Sequence, residues 1–263
     1  MDIDYKLDEP WAILSAIEQS IKQKIESVGT PLKDWDIRIN YGIKTGLNEA
    51  FIISKEKRDE LVKADPKSDE IIRPILRGKD IKRYEYDFQN IYLINTHNGY
   101  VDENGNAVSP INIDDYPAVK EWLDSEEWNK NPKKGNSFKR LSERTDQGVT
   151  PYNLRSLAYM DDFLKRKIVF SRISGTEPKF SLDTENHFTN DTGYIISGED
   201  LDYLLDMLVS DIIWFAFKTY YMGGGIDKEF KVNNLLNLPV PLPSTDAIKL
   251  TDEEMKFIAE NIE

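Results

Sequence analysis

Short segments with strand-like alternation fill the middle of this chain, helical segments lie toward both ends, and no regular β-α-β alternation links them. That order indicates an α+β fold: a mostly antiparallel, twisted sheet with flanking helices, closed by an N-terminal and a C-terminal helix. Residues 10–28 place Trp11, Leu14, Ile17, Ile21, Ile25 and Val28 at three- and four-residue spacings, with Pro10 suited to the first helical position and Gly29 to the stop. "WDIRINYGI" alternates Trp35, Ile37, Ile39 and Tyr41 with Asp36, Arg38 and Asn40, which predicts a half-buried strand. A glycine-flanked turn from Gly42 to Gly46 leads to "EAFII", read as a second strand, and Ser54 is placed to cap a helix running to about Ala64.

Farther along, "NIYLIN" predicts a strand, "DENGN" a turn and "PAVKEWLDSEEW" a helix with an acidic face. "KNPKKGNS" is a polar, basic loop, and "KIVFSRI", "KFSLD" and "GYIIS" are three more strands. Residues 199–221 are strongly apolar and helical with a break near Ser210, and the glycines at 223–225 end them. "NLLNLPVPLP" is an extended, proline-punctuated exit before a last helix at 251–262. With no internal repeat and no low-complexity linker, one compact unit is expected, divided as a connecting helix (1–30), a main domain (31–243) and a C-terminal helix (244–263).

The chain of 263 residues has a formal net charge of −13, which on its face argues against a nucleic-acid partner. The charge is unevenly spread. Residues 99–128 carry eight acids and one lysine, and 181–211 carry eight acids and no Lys or Arg. Residues 130–180 instead carry twelve Lys or Arg against five acids, and 71–84 carry five against one. A polarised surface follows, with the field concentrated where the basic segments meet. The absence of cysteine excludes disulfides and thiolate metal sites. No signal-like run and no stretch of 18 apolar residues occurs, so no membrane partner and a cytoplasmic address are expected.

Little in the sequence points to catalysis. His97 and His187 lie about ninety residues apart in polar contexts, which favours ordinary surface roles. "GIKTG" and "GGG" match neither phosphate-binding fingerprint. The adjacent acids Asp114–Asp115 and Glu126–Glu127 read as solvated faces. The strongest competing signal is Glu177-Pro178-Lys179 preceded by Asp161 and Asp162, a pattern that could hold magnesium in a nuclease or other carboxylate hydrolase.

Four blocks in order, "INYGIKTGLNEAFII" (39–53), "IIRPILRGKDIKRY" (71–84), "RKIVFSRISGTEPKFSLD" (166–183) and "VNNLLNLPVPLP" (232–243), resemble the target recognition domain of TaqI-like adenine-N6 DNA methyltransferases. Such domains also occur in type IIG restriction-modification enzymes and related phage-defence methylases. The resemblance runs from about Trp35 to Pro243 and makes 31–243 the DNA target recognition domain. It implies double-stranded DNA as partner, and a catalytic methyltransferase domain of the same parent chain that binds S-adenosylmethionine and methylates a flipped adenine. This chain has no Pro-Pro dipeptide and no cofactor glycine loop, so it is expected to hold no cofactor, metal or catalytic residue and to be the specificity half of a larger enzyme, beginning in the connecting helix. For DNA contact the resemblance and the charge nominate Lys44, Thr45 and Asn48 on the first turn, and Arg73, Arg77, Lys79, Lys82 and Arg83 in the second block. Asp80 is expected either to orient an arginine or to accept from a cytosine amino group. Lys139, Arg140, Arg144, Arg155 and Arg172, interleaved with Tyr152 and Phe170, complete the set.

Overall fold

The computed structural model describes residues 14–129, 140–173, 175, 177–222 and 231–262. It divides into two compact units rather than one: Met1–Ile37 with Ile173–Pro178 and Asp202–Glu263, and Arg38–Arg172 with Lys179–Leu201.

In the unit built from the chain ends, Ser15 caps the helix Ala16–Val28 through a capping box with Glu18. This start falls later than Pro10, which lies outside the described residues. The strand Gly29–Pro31 pairs antiparallel with Pro239–Pro241, a match between distant segments that no local pattern reveals. The proline-rich exit is thus a paired strand, preceded by a short helix, Val232–Leu236. The apolar segment forms the helices Leu201–Val209 and Asp211–Ala216, broken at Ser210, whose hydroxyl accepts from the Ile213 N–H. The last helix, Asp252–Asn261, starts with a second capping box, Thr251 with Glu254. Glu254 also reaches the first helix, accepting from Lys24 Nζ (2.6 Å) and Ser20 Oγ (2.7 Å).

The other unit holds two four-stranded sheets. One orders the strands Phe188–Thr189, Ile72–Leu76, Ile91–Ile94 and Ile52–Ser54, and the other Ile37–Tyr41, Gly193–Gly198, Lys167–Ser171 and Phe180–Asp183. In the first sheet pairing is antiparallel except between Phe188–Thr189 and Ile72–Leu76, and in the second Lys167–Ser171 runs antiparallel to both Gly193–Gly198 and Phe180–Asp183. The α+β expectation stands. "EAFII" departs from expectation: Asn48–Phe51 is a helical turn and only Ile52–Ser54 is strand. Ala50 and Phe51 are both fully buried, so the segment has no strand-like alternation, and the Ala50 carbonyl accepts from Trp122 Nε1 (2.9 Å). Ser54 caps the helix Lys55–Ala64, accepting from the Lys57 N–H. The core joins Ile43, Phe51, Ile75, Leu93, Val119 and Phe188. Within it the Phe163 and Phe188 rings stack 4.7 Å apart.

Candidate nucleic-acid interface

The chain crosses from one sheet to the other through residues 190–192, and three of the blocks singled out in the sequence meet at this crossing. The Gly42 N–H donates to the Gly193 carbonyl (3.0 Å) and the Ile43 N–H to the Thr189 carbonyl (2.7 Å). From the second block, the Leu76 carbonyl accepts from the Asn190 N–H (3.0 Å) and the Gly78 N–H donates to Thr192 Oγ1 (2.8 Å). From the third, the Arg172 N–H donates to the Thr192 carbonyl (2.8 Å). Asn190 fixes the crossing from inside, its Oδ1 accepting from Thr192 Oγ1 (2.6 Å) and the Thr192 N–H (3.1 Å). The two flanking glycines are contact points rather than flexible joints. A Cβ on Gly42 would stand 1.9 Å from the Asn190 carbonyl oxygen, and one on Gly78 would stand 2.1 Å from that of Thr192. No single-residue signal marked Asn190 or Thr192, because their role exists only once three distant segments have docked on them.

Beside this crossing opens a cleft of about 420 Å³ whose lining includes Tyr41, Lys44, Arg155, Tyr159, Arg172 and Asp191. Three nominated cations from three segments therefore share one wall system. Lys44 and Arg155 are both exposed and both face Asp146, at 3.1 Å and 3.7 Å. Tyr41, which the alternation assigned to the covered face of its strand, is 56% exposed and sets an edge against Tyr194.

Arg144 turns inward. Only 1% exposed, its guanidinium donates to the carbonyls of Thr45 (2.6 Å), Asp146 (2.7 Å) and Pro151 (3.1 Å) and to that of Asn153, above the Phe51 ring. Burial lowers its pKa to about 10, opposed by the nearby Asp146, so it stays charged at neutral pH. Thr45 is buried as well, accepting from the Leu47 N–H and donating to Asn48 Oδ1. Both were nominated as DNA contacts. Their polar groups instead shape the loop that carries Lys44 and Asp146, while Asn48 remains exposed beside them.

In the second block, Asp80 takes the orienting role. It is 5% exposed, and its carboxylate accepts from Arg77 Nε (2.8 Å), Nη2 (2.8 Å) and backbone N–H (2.9 Å). The fork raises the Arg77 pKa and fixes the plane of a guanidinium that is itself part-exposed. Arg73 folds back onto the carbonyls of Asp69, Glu70 and Ile72, closing the preceding turn. Lys79 is exposed and makes no ion pair among the described residues, and Lys82 and Arg83 are exposed at a tip. Arg140 is exposed at the start of a short turn of helix, and Lys139 lies outside the described residues.

Of the competing hydrolase signal, the two aspartates are otherwise engaged, and Glu177 is exposed. Both Asp162 oxygens are taken, by Arg38 Nη2 (2.7 Å) and Asn40 Nδ2 (2.8 Å), and Asp161 accepts from the Glu103 N–H. Among the described residues no three acids or histidines cluster as metal ligands. His187 is not the surface residue its neighbours suggested. It is buried, with Nδ1 2.8 Å from Asp183 Oδ1, and Asp183 in turn accepts from the fully buried Lys167 Nζ at 2.6 Å. Burial pushes the Asp183 carboxyl up, but His187 and Lys167 outweigh it and hold the group at about 2.

A profile of the TaqI-like C-terminal specificity domain matches residues 73–240, more than half of the chain. No curated protein matches it. Among solved structures, the type IIL restriction-modification enzyme MmeI, determined in complex with DNA, is similar in fold, with a TM-score of 0.51 at 14% identity over 79% of this chain and 25% of that one. The type IIG restriction endonuclease BpuSI aligns with a TM-score of 0.48 at 14% identity, over 94% of this chain and 28% of that one. The chain spans about a quarter of the length of either enzyme.

Proposed function

The chain belongs to the family of TaqI-like C-terminal specificity domains, and from that premise we propose that it reads duplex DNA for a catalytic part situated elsewhere in its parent protein. The observation that carries this reading is the cleft beside the crossing, which gathers Lys44, Arg155 and Arg172 from three separate segments of the chain. Lys44 and Arg155 are themselves exposed and share one part-buried carboxylate, Asp146, at 3.1 Å and 3.7 Å, so phosphate oxygens can compete for both cations at a rim where ion pairs are worth about 0–1 kcal/mol. Arg77 suits a different task. Asp80 engages two of its guanidinium N–H groups and fixes the plane of a part-exposed side chain whose remaining N–H groups suit the paired acceptors guanine O6 and N7 in the major groove. The backbone cations position the duplex, and the buttressed arginine discriminates.

The parent reads as an adenine-N6 DNA methyltransferase or a type IIG restriction-modification enzyme. In that reading S-adenosylmethionine and the methyl transfer belong to the catalytic part, and this chain binds and orients the duplex. The hydrolase alternative finds no support among the acids described above.

Duplex binding followed by fluorescence anisotropy across a salt series tests the reading. The chain should bind a mixed-sequence duplex with a Kd on the order of 10⁻⁴–10⁻⁶ M, the range of non-specific association. Lys44→Ala and Arg155→Ala should each flatten the salt slope by about one unit. Absence of duplex binding at low salt, or slopes identical to that of the unaltered chain, would overturn it.

A further inference from the structure

Five non-glycine residues among those described have positive φ: Tyr84, Asn90, Glu126, Asn186 and Asp200. Asn and Asp tolerate the left-handed region because their short side chains bond locally; a tyrosine gains nothing of the kind and its Cβ is strained there. Tyr84 sits at φ 66 and is 52% exposed. A bulky aromatic is thus held, half exposed, in a conformation that Gly or Asn would adopt at lower cost.

The surroundings over-determine that placement. Asp80 to Asp87 form a small hairpin in which the Asp87 N–H donates to the Asp80 carbonyl (2.8 Å), the Lys82 N–H to the Glu85 carbonyl (2.8 Å), and Ile81 bridges Tyr86. Both flanks are anchored. Ile81 is buried, and Tyr86 sends its hydroxyl to Asp183 and sets its ring against His187. The tip is tied down separately, the Tyr84 N–H donating to the Phe180 carbonyl (2.8 Å). The same hairpin begins at Asp80, the residue that fixes Arg77, and its tip carries Lys82 and Arg83 beside the ring. Strain kept by a rigid support at an exposed tip is a mark of a working position.

We propose that Tyr84 is a stacking wedge, a side chain whose ring enters a weakened base step of the duplex while Lys82 and Arg83 lie along the flanking phosphates. The inference rests on the DNA-reading function above and adds a feature to it: recognition of how readily a step unstacks, alongside groove contact. An aromatic face stacks on any base, so the wedge gives deformability readout and no letter code.

The test compares the unaltered chain with Tyr84→Ala, Tyr84→Gly and Tyr84→Phe on two mixed-sequence duplexes, one intact and one carrying a single mismatch flanked by 2-aminopurine. The unaltered chain and Tyr84→Phe should prefer the mismatched duplex and raise the 2-aminopurine fluorescence. Tyr84→Ala and Tyr84→Gly should bind it about tenfold more weakly, with the salt slope unchanged and no fluorescence rise. Tyr84→Gly should also keep or raise the melting temperature, since it relieves the left-handed strain. Equal binding of both duplexes by all four proteins would overturn the wedge while leaving DNA reading intact. A large loss of melting temperature in Tyr84→Gly would overturn it too, by making the residue structural. An unaltered chain that binds neither duplex overturns the reading on which the wedge rests.

Discussion

Two clusters of charge in the same unit use similar residues to opposite ends. Around the cleft, the exposed Lys44 and Arg155 share the part-buried Asp146, each holding it at 3.1 Å or more. On adjacent strands of the second sheet, Lys167 and Asp183 face each other wholly out of water, and each has further partners: Lys167 also donates to the Phe163 and Lys165 carbonyls, and Asp183 also accepts from His187 and Tyr86. The contrast shows where charge is part of the frame and where it remains available to a ligand. Arg144 belongs with the first kind by position in the sequence and with the second by structure, since it supports the loop from beneath with bonds to carbonyls.

The contrast can be broken most forcefully at Lys167. Lys167→Met leaves Asp183 as a buried carboxylate with its ammonium gone and should lower stability by about 3–5 kcal/mol in urea unfolding. A loss under 1 kcal/mol would mean that the pair is no more structural than the rim.

Arg144→Lys tests the intermediate case. A single ammonium cannot meet four carbonyls spaced for a planar guanidinium, so about 2–3 kcal/mol should be lost although the charge is kept. Full stability in this variant would return Arg144 to the ordinary cations.

Acid should separate the clusters further. The Asp183 pKa is held at about 2, below its unfolded value near 4. A group depressed in this way contributes stability that is fully present above about pH 5 and lost as the pH falls through 4 toward 2. The loss should be on the order of 2 kcal/mol and should be smaller in Lys167→Met, where only the His187 contact still holds the carboxyl down, as thermal melts between pH 6 and pH 2.5 would reveal. The smallest effect belongs to the rim, where removing Lys44 or Arg155 should change stability by less than about 0.5 kcal/mol even as duplex binding weakens.

Much of the framework was legible locally. Alternation in "WDIRINYGI" marked a strand now seen at Ile37–Tyr41, Ser54 marked a helix start and Ser210 a break between helices, because capping and periodicity act within a few residues. The pairing of Gly29–Pro31 with Pro239–Pro241 was not legible, since it depends on segments from opposite ends, and with it went the division into two units. At the interface, the charge pattern nominated Lys44, Arg77 and Arg155 among exposed or part-exposed positions. It could not distinguish them from Arg144, whose burial is decided by carbonyls of a loop that exists only in the folded chain. The glycines of "GIKTG" and "RGKD" suggested freedom by type, whereas Gly42 and Gly78 are set by proximity.

That proximity has a consequence for how such a domain can change. Gly42 and Gly78 touch the one crossing at 190–192 with no room for even a methyl group, so the backbones of the two loops are locked into a common frame. The side chains at Lys44, Lys79 and Lys82 project from it and are exposed. Substitution at these tips can proceed one residue at a time without disturbing the other loop, while a change at the crossing would shift both together. A change in what is recognised is therefore least disruptive at the tips and most disruptive at the crossing, which holds both loops in register and sends Asp191 into the cleft wall as well.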